Sequence, residues 1–478
     1  MNTMYAAILA LLAMLLAATP NLAASLEKTS SLADQKEVWV TIYNENLALI
    51  KDRRSLVLPE GASTIAFQGI SAKIRPETAF LHNYAKPQDL VIREQYFDFD
   101  LLTPQKILEK YVGKPIGIVK IHPTTGEETV EKATLLSANN GIVLKVGDRI
   151  ETGIPGNRLV FPDVPENLRD KPTLVLQLVS KTEQLQNLEL SYLTGGLGWQ
   201  ADYVAELNSD ESRLNLLGWV TLTNTSGTSY NNARLQLVAG DVHLVQPVFE
   251  KRLREHSVDV AYAAAAPGMT QEPLFEYHVY TLDRPTDILE NQTKQVAMLQ
   301  EETLASEKEY LLQGQEYYYR TRSGELGNET KVAVFLTLEN TLGQPLPKGI
   351  VRVYKQDSKG IVQFVGEDRI EHTPENETIR LRLGSAFDIT ADRKQTDFKK
   401  LAGFAEFNYV FESAYRIELK NSKNSDVVVR IVEPLPGDWE ILSENHTHKK
   451  ISASEAEWLV RVPAKESAEL LYRAKVKF

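Results

Sequence analysis

The chain has 478 residues, with 53 Lys and Arg against 64 Asp and Glu, for a formal charge of −11. Hydrophobic residues make up 43% and charged residues 24%, the balance of a folded chain and not of a disordered one. An acidic chain has no attraction to phosphate backbones, so nucleic-acid binding is not expected; zero Cys removes thiol nucleophiles, thiolate metal sites, Fe–S clusters and disulfides together.

Ala6 to Ala18 form an apolar run shorter than the about 20 residues a bilayer span needs. Thr19-Pro20-Asn21 breaks it, and Leu22-Ala23-Ala24-Ser25 offers small residues for cleavage after Ala24. This pattern reads as a secretory signal peptide over 1–24. The stretch before it carries no Lys or Arg, which keeps an uncleaved anchor as the alternative. No later segment is apolar for long enough to span a bilayer, so the mature chain is expected to lack a transmembrane helix and to be exported to the periplasm or cell surface.

A polar linker is expected at 25–37, and then period two takes over. Val38–Tyr43, Leu47–Ile50, Ser63–Phe67 and Leu90–Arg93 are rich in β-branched and aromatic residues and are punctuated by Gly, Pro and Asn, which places strands in an N-terminal region at 38–103. Helical spacing is scarce. Its best case is Pro104 to Tyr111, where Thr103 can cap, Pro104 suits the first turn, and Ile107, Leu108 and Tyr111 share a face. Five short strands follow, at Ile116–Ile121, Thr129–Ser137, Ile142–Val146, Asp148–Glu151 and Arg158–Phe161. One helix and five bent strands over 104–165 suit a small SH3-like or Sm-like barrel inserted into the chain, with a meander of the surrounding sheet as the alternative.

Beyond it, an alternating strand ending in Asn and a polar turn recurs. Val220–Asn224 precedes Thr225-Ser226-Gly227, Val334–Asn340 precedes Thr341-Leu342-Gly343, and Tyr415–Asn421 precedes Ser422-Lys423-Asn424. Asn tolerates left-handed backbone and can bond its own turn, so turn chemistry explains the pattern more simply than three ligand sites. Repeats spaced roughly 100 residues apart suit β-sandwich modules. These are expected at 166–262, 274–400 and 401–478, with a flexible loop at 263–273. The fold class expected is mainly β: tandem antiparallel, immunoglobulin-like sandwiches with the small barrel inserted.

Motifs that carry chemistry are few. His446-Thr447-His448 would place two imidazoles on one strand face, adequate for a metal if a third ligand such as His372 arrives; a polar loop beside Lys449-Lys450 is the simpler account. Asp98 and Asp100 share a face but read as solvated carboxylates. Gly195-Gly196-Leu197-Gly198-Trp199 lies between strands, so it is a tight strand connection and not a phosphate loop. In a strand, Tyr317 and Tyr319 would share one face and offer an aromatic surface to a glycan or peptide. Trp199, Trp219, Trp439 and Trp458 read as core anchors. Leu470, Tyr472, Ala474, Val476 and Phe478 alternate as in the last strand of an outer-membrane barrel or in the closing strand of a sandwich.

One resemblance is specific. Leu190-Ser191-Tyr192-Leu193-Thr194-Gly195-Gly196-Leu197-Gly198-Trp199-Gln200-Ala201-Asp202-Tyr203, continuing to Gly218–Asn224 and Asn232–Asp241, resembles the bacterial domain-of-unknown-function 4139 family. Leu346–Tyr354 and Phe364–Asp368 extend the likeness over nearly the whole mature chain. The resemblance implies export and a β-rich architecture, and it supplies neither a reaction nor catalytic residues. The expected function is non-catalytic binding or scaffolding in the envelope, without a cofactor, toward an envelope protein or glycan through sandwich surfaces and strand edges. A metal-assisted periplasmic hydrolase and an outer-membrane-associated protein are the alternatives.

Overall fold

The computed structural model describes residues 27–477 apart from 45, 99, 140, 153–157, 166–167, 241, 243–268 and 402–408. The expected signal peptide, most of the 263–273 loop and Phe478 therefore lie outside the described residues. The fold is mainly β, with 67% strand and 5% helix, and among the described residues none of its several sheets is closed. Two compact units divide the chain. One takes residues up to Gly198 together with Thr223–Val238 and Arg284–Lys294; the other takes Trp199–Leu222, Ala239–Asp283 and Gln295–Phe478.

In the first unit the strands Tyr230–Ala239, Gln35–Tyr43, Leu47–Val57, Leu185–Thr194 and Phe80–Asn83 lie side by side in that order. A four-stranded sheet runs Glu27–Ser30, Gly61–Gln68, Thr173–Ser180, Leu90–Asp98. Glu27–Ser30, which the sequence reads as linker, pairs in parallel with Thr64–Phe67. A buried arginine explains why so polar a segment is held. Arg54 donates to Asp52 at 2.7 Å, to the Ser30 carbonyl at 2.8 Å and to the Gln68 carbonyl at 3.0 Å, and its guanidinium lies 5.0 Å from the Phe67 ring centre. A buried cation needs all of these partners, and the first strand supplies one of them.

The helix forms at Pro104–Tyr111, with Thr103 Oγ1 accepting from the Lys106 N–H at 3.2 Å. Five strands follow, at Pro115–Ile121, Glu128–Ser137, Val143–Val146, Arg149–Thr152 and Arg158–Val160, within a residue or two of the predicted ends. The last of them pairs with the first, and the sheet runs fourth, third, second, first, fifth. Ile107, Leu108 and Tyr111 pack on a small core of Ile116, Ile118, Leu135 and Leu144.

In the second unit a long sheet runs through Val362–Ile370, Gly349–Gln356, Leu197–Leu207, Arg213–Asn224, Gln292–Gln313, Glu325–Glu339, Thr378–Leu401, Val410–Asn421, Ser467–Lys477 and Asp438–Glu444. The expectation of purely antiparallel pairing is corrected. Ala201–Leu207 lies parallel to Gly349–Lys355, Tyr310–Gln313 parallel to Val429–Val432, and, within the first unit, Arg234–Val238 parallel to Trp39–Tyr43. Parallel neighbours cannot be joined by a hairpin, so each pair comes from distant parts of the chain, beyond what local spacing reveals. Gln292–Gln313 is one 22-residue strand. Trp199, Trp439 and Trp458 are buried as expected. Leu470, Tyr472, Ala474 and Val476 point into the core from a strand paired on both sides.

The three recurring asparagines are buried and do the same job. Asn224 Nδ2 donates to the carbonyls of Thr228 (2.9 Å) and Ile288 (3.1 Å) while its Oδ1 accepts from Ser226 N–H. Asn340 Nδ2 donates to Gln344, Thr373 and Pro374 carbonyls, and Asn421 Nδ2 to those of Ser425, Val462 and Pro463. In each case the carbonyl four residues on is tied to a distant loop. Each distant loop also holds a left-handed residue, Asn291 (φ 57°), Asn376 (φ 63°) and Lys465 (φ 62°). Replacing Asn421 by Ala leaves these buried carbonyls without a donor, so a loss of about 2–3 kcal/mol is expected in urea unfolding; Asn421→Asp, which keeps the shape but has no N–H, should behave nearly as badly.

Candidate functional site

A buried cluster of polar groups in the second unit forms around Glu433, which is fully buried near the end of the strand Val427–Pro434. Arg393 Nη2 donates to Glu433 Oε1 at 2.6 Å, and the Tyr319 hydroxyl donates to Oε2 at 2.8 Å. Tyr319 and Tyr472 share a hydrogen bond of 2.7 Å between their hydroxyls. The Arg393 guanidinium stands 5.0 Å from the Tyr318 ring centre. Burial pushes the Glu433 carboxyl up, against the pull of Arg393 and the two phenols. Burial also pushes Tyr319 and Tyr472 well above the usual phenol range. Gly314 makes the close approach possible, because a Cβ there would stand 2.1 Å from Glu433 Oε2.

Two irregularities in pairing re-aim side chains above this cluster. The register of Thr378–Leu401 against Val410–Asn421 shifts between Gln395 and Asp397, and that of Asp438–Glu444 against Ser467–Lys477 shifts between Ile441 and Ser443. Bulges bend a strand and turn side chains away from the regular alternation. Gln395 is buried, and its Nε2 donates to the Tyr318 and Thr321 carbonyls at 3.1 Å each. Beside the bulges a groove of about 370 Å³ opens, lined by Thr396, Tyr415, Ser443, Glu444, Tyr472 and Arg473. Tyr415 and Tyr472 border it from the core and are themselves almost wholly buried. Tyr415 stacks on Tyr472 at 5.1 Å between ring centres, and Tyr472 meets Trp458 at 4.8 Å.

Glu444 is the carboxylate of this groove. It accepts from Trp458 Nε1 at 2.8 Å and lies 2.9 Å from His448 Nδ1. Partial burial works against its charge, but the indole N–H and the imidazole hold its carboxyl below the usual carboxylate range. Such a group accepts hydrogen bonds and is poorly suited to give a proton at neutral pH.

His446 and His448 fall in the loop between the strands Asp438–Glu444 and Lys449–Ser452, so the shared strand face expected of them does not form. His448 is packed between Trp439 and Trp458, 5.9 Å from each ring centre, and His372 Nδ1 accepts from the Lys348 N–H. Among the described residues no group of three or more His, Asp or Glu is placed to hold a metal. Tyr317 and Tyr319 also depart from expectation. Glu316–Tyr319 is a 3₁₀ turn, not a strand, and it separates the two rings: Tyr317 is 55% exposed while Tyr319 is fully buried. Alternation holds only for extended chain, and a 3₁₀ turn has three residues per turn. Of the paired carboxylates, Asp98 binds Arg169 and Asp100 binds Lys106 and Lys110. Sequence reasoning missed Glu433 and Arg393, whose burial has no local signature, and Glu444, four residues from His448 but joined to it only by a turn.

Because Glu444 titrates lower in the folded chain than in the unfolded one, its contribution to stability is complete above its unfolded value of about 4.5 and is lost as pH falls through the lowered folded value. Urea midpoints followed from about pH 6 to about pH 3 should therefore drop more steeply for the native chain than for Glu444→Gln, the two curves converging at the acid end.

A family model described as "Domain of unknown function (DUF4139)" matches residues 188–478, a shorter span than the likeness read from the sequence. No curated protein matches the chain.

Proposed function

The chain belongs to the DUF4139 family, and from that premise we propose that it is an exported envelope protein that binds, without catalysis, a hydroxyl-rich ligand of the cell-wall glycan class. The observation that carries the reading is the groove beside the buried Tyr415 and Tyr472, which presents an ionised acceptor, Glu444, a guanidinium, Arg473, the Asn445 amide and the hydroxyls of Thr396 and Ser443. Fixed donors and acceptors around one exposed apolar side chain, Leu471, suit sugar rings, which present hydroxyl rims and small apolar faces. The groups are held before any ligand arrives: Arg473 is 2.8 Å from Asp397, and Asn445 Oδ1 accepts from the Leu471 N–H at 2.8 Å. Preorganisation of this kind favours binding.

The finer architecture belongs to the same reading. Strands on either side of the core formed by Tyr415, Ile431, Trp458 and Val476 support an immunoglobulin-like sandwich at the C-terminus. The pairing of the fifth short strand with the first supports an SH3-like or Sm-like insertion. Val362–Ile370 ends its sheet with Val362 and Phe364 exposed, an edge suited to strand addition by a protein partner. Among the described residues no helix is long and apolar enough to cross a membrane.

Titration of the purified full chain with an N-acetylated cell-wall disaccharide, followed by tryptophan emission, should saturate, and Arg473→Ala should weaken binding by about tenfold or more. Equal affinity in the variant would sink the groove as the binding site. For export, osmotic-shock fractionation with mass measurement of the amino terminus should find the chain outside the cytoplasm and shortened to Ser25; an intact cytosolic chain would refute it.

A further inference from the structure

A second cavity in the same unit, of about 190 Å³, has a different character. Its walls are Leu207, Tyr310, Val334, Leu336, Leu383 and Ala386, and its rim carries Lys308, Lys355 and Lys423 with the single carboxylate Glu211. Glu211 stands in left-handed backbone (φ 64°), an uncommon conformation for a non-glycine residue, and its carboxylate receives both Lys308 and Lys355, the latter at 2.7 Å. Lys423 is held loosely, 4.0 Å from Asp388. Three ammonium groups against Glu211 and the more distant Asp388 leave the rim positive by one charge, and apolar walls strengthen that field toward an anion.

The apolar lining does not stop at the cavity floor. Two residues further along the same strand faces, Ala205, Leu338 and Leu381 line a small apolar void of about 10 Å³ together with Leu346 and Ile379. Residues two apart on a strand share a face and are separated by about 7 Å. The cavity and the void thus follow one direction along the strands, from a cationic rim into an incompletely filled core. A wholly polar ligand would gain nothing from the inner half, and a wholly apolar one nothing from the lysines.

We propose that this cavity binds a single-chain carboxylate amphiphile, a fatty-acid class ligand. Its carboxylate would sit at Lys308, Lys355 and Lys423, where Glu211 now supplies the counter-charge. Its alkyl chain would lie between Leu336 and Leu383 and point toward Leu338 and Leu381. The site lies apart from the Glu444 groove in its lining and in its ligand.

Calorimetric titration of the full chain with octanoate tests this, with octanol as the uncharged control. Octanoate should bind saturably at one site, and octanol at least about tenfold more weakly. Lys355→Met, at the rim, should cost octanoate binding about tenfold, and Leu383→Trp, which fills the cavity, should abolish it; Arg473→Ala should leave it unchanged. Thermal melts confirm that each variant is folded, and Leu383→Met stands in for the tryptophan variant if that one is not, with weakened binding expected. Absence of saturable heat, equal affinity for octanol, or unaltered octanoate binding in Lys355→Met would each overturn the proposal.

Discussion

A buried loop carbonyl must find a donor, and in this chain the same side chain answers that need at the ends of three strands. Asn224, Asn340 and Asn421 each present an amide whose N–H groups take the carbonyls of their own turn and of a distant loop, and whose oxygen takes an N–H two residues on. Without that bracket the turn and the loop would both carry unsatisfied polar groups in the interior, where each costs about 1–3 kcal/mol. The distant loop is shaped to match, turning through one left-handed residue before its next strand begins. Each bracket thereby fixes where one strand ends and where a later segment of the chain passes it.

Within the C-terminal part, a second polar device sits inside the first. Arg393 and Glu433 neutralise one another between sheet strands, and the phenols of Tyr319 and Tyr472 take up remaining bonding capacity. A buried ion pair of this sort adds little net stability over a well-packed apolar substitute, but losing one partner strands the other. Its effect here is placement. The pair tolerates no side chain at Gly314, holds the 3₁₀ turn Glu316–Tyr319 inward, and thereby stations Tyr472 and Tyr415 beneath the groove.

The sequence made the β character, the Thr103-capped helix and the five short strands legible because each rests on local signals: alternation, capping and turn residues. The Asn repeat was legible for the same reason, although its partner loops, Leu289-Glu290-Asn291, Pro374-Glu375-Asn376 and Pro463-Ala464-Lys465, are too degenerate to pair by eye. What escaped depends on long-range neighbours. Parallel strands leave no turn between them, Arg393 and Glu433 are forty residues apart on different strands, and Tyr317 to Tyr319 look extended until Gly314 and the buried carboxylate turn them. Glu27–Ser30 reads as linker because nothing nearby announces that Arg54 needs its carbonyl.

The amide of each asparagine bonds only within its own stretch of chain, the first between 224 and 291, the second between 340 and 376, the third between 421 and 465, although two of the turns are also tied elsewhere, Ser226 O to the Ala72 N–H and Ser422 N–H to the Asp388 carbonyl. None borrows a partner from another. Each such joint spans only a few tens of residues, so its loop can close before the long-range pairs of the sheet are in place.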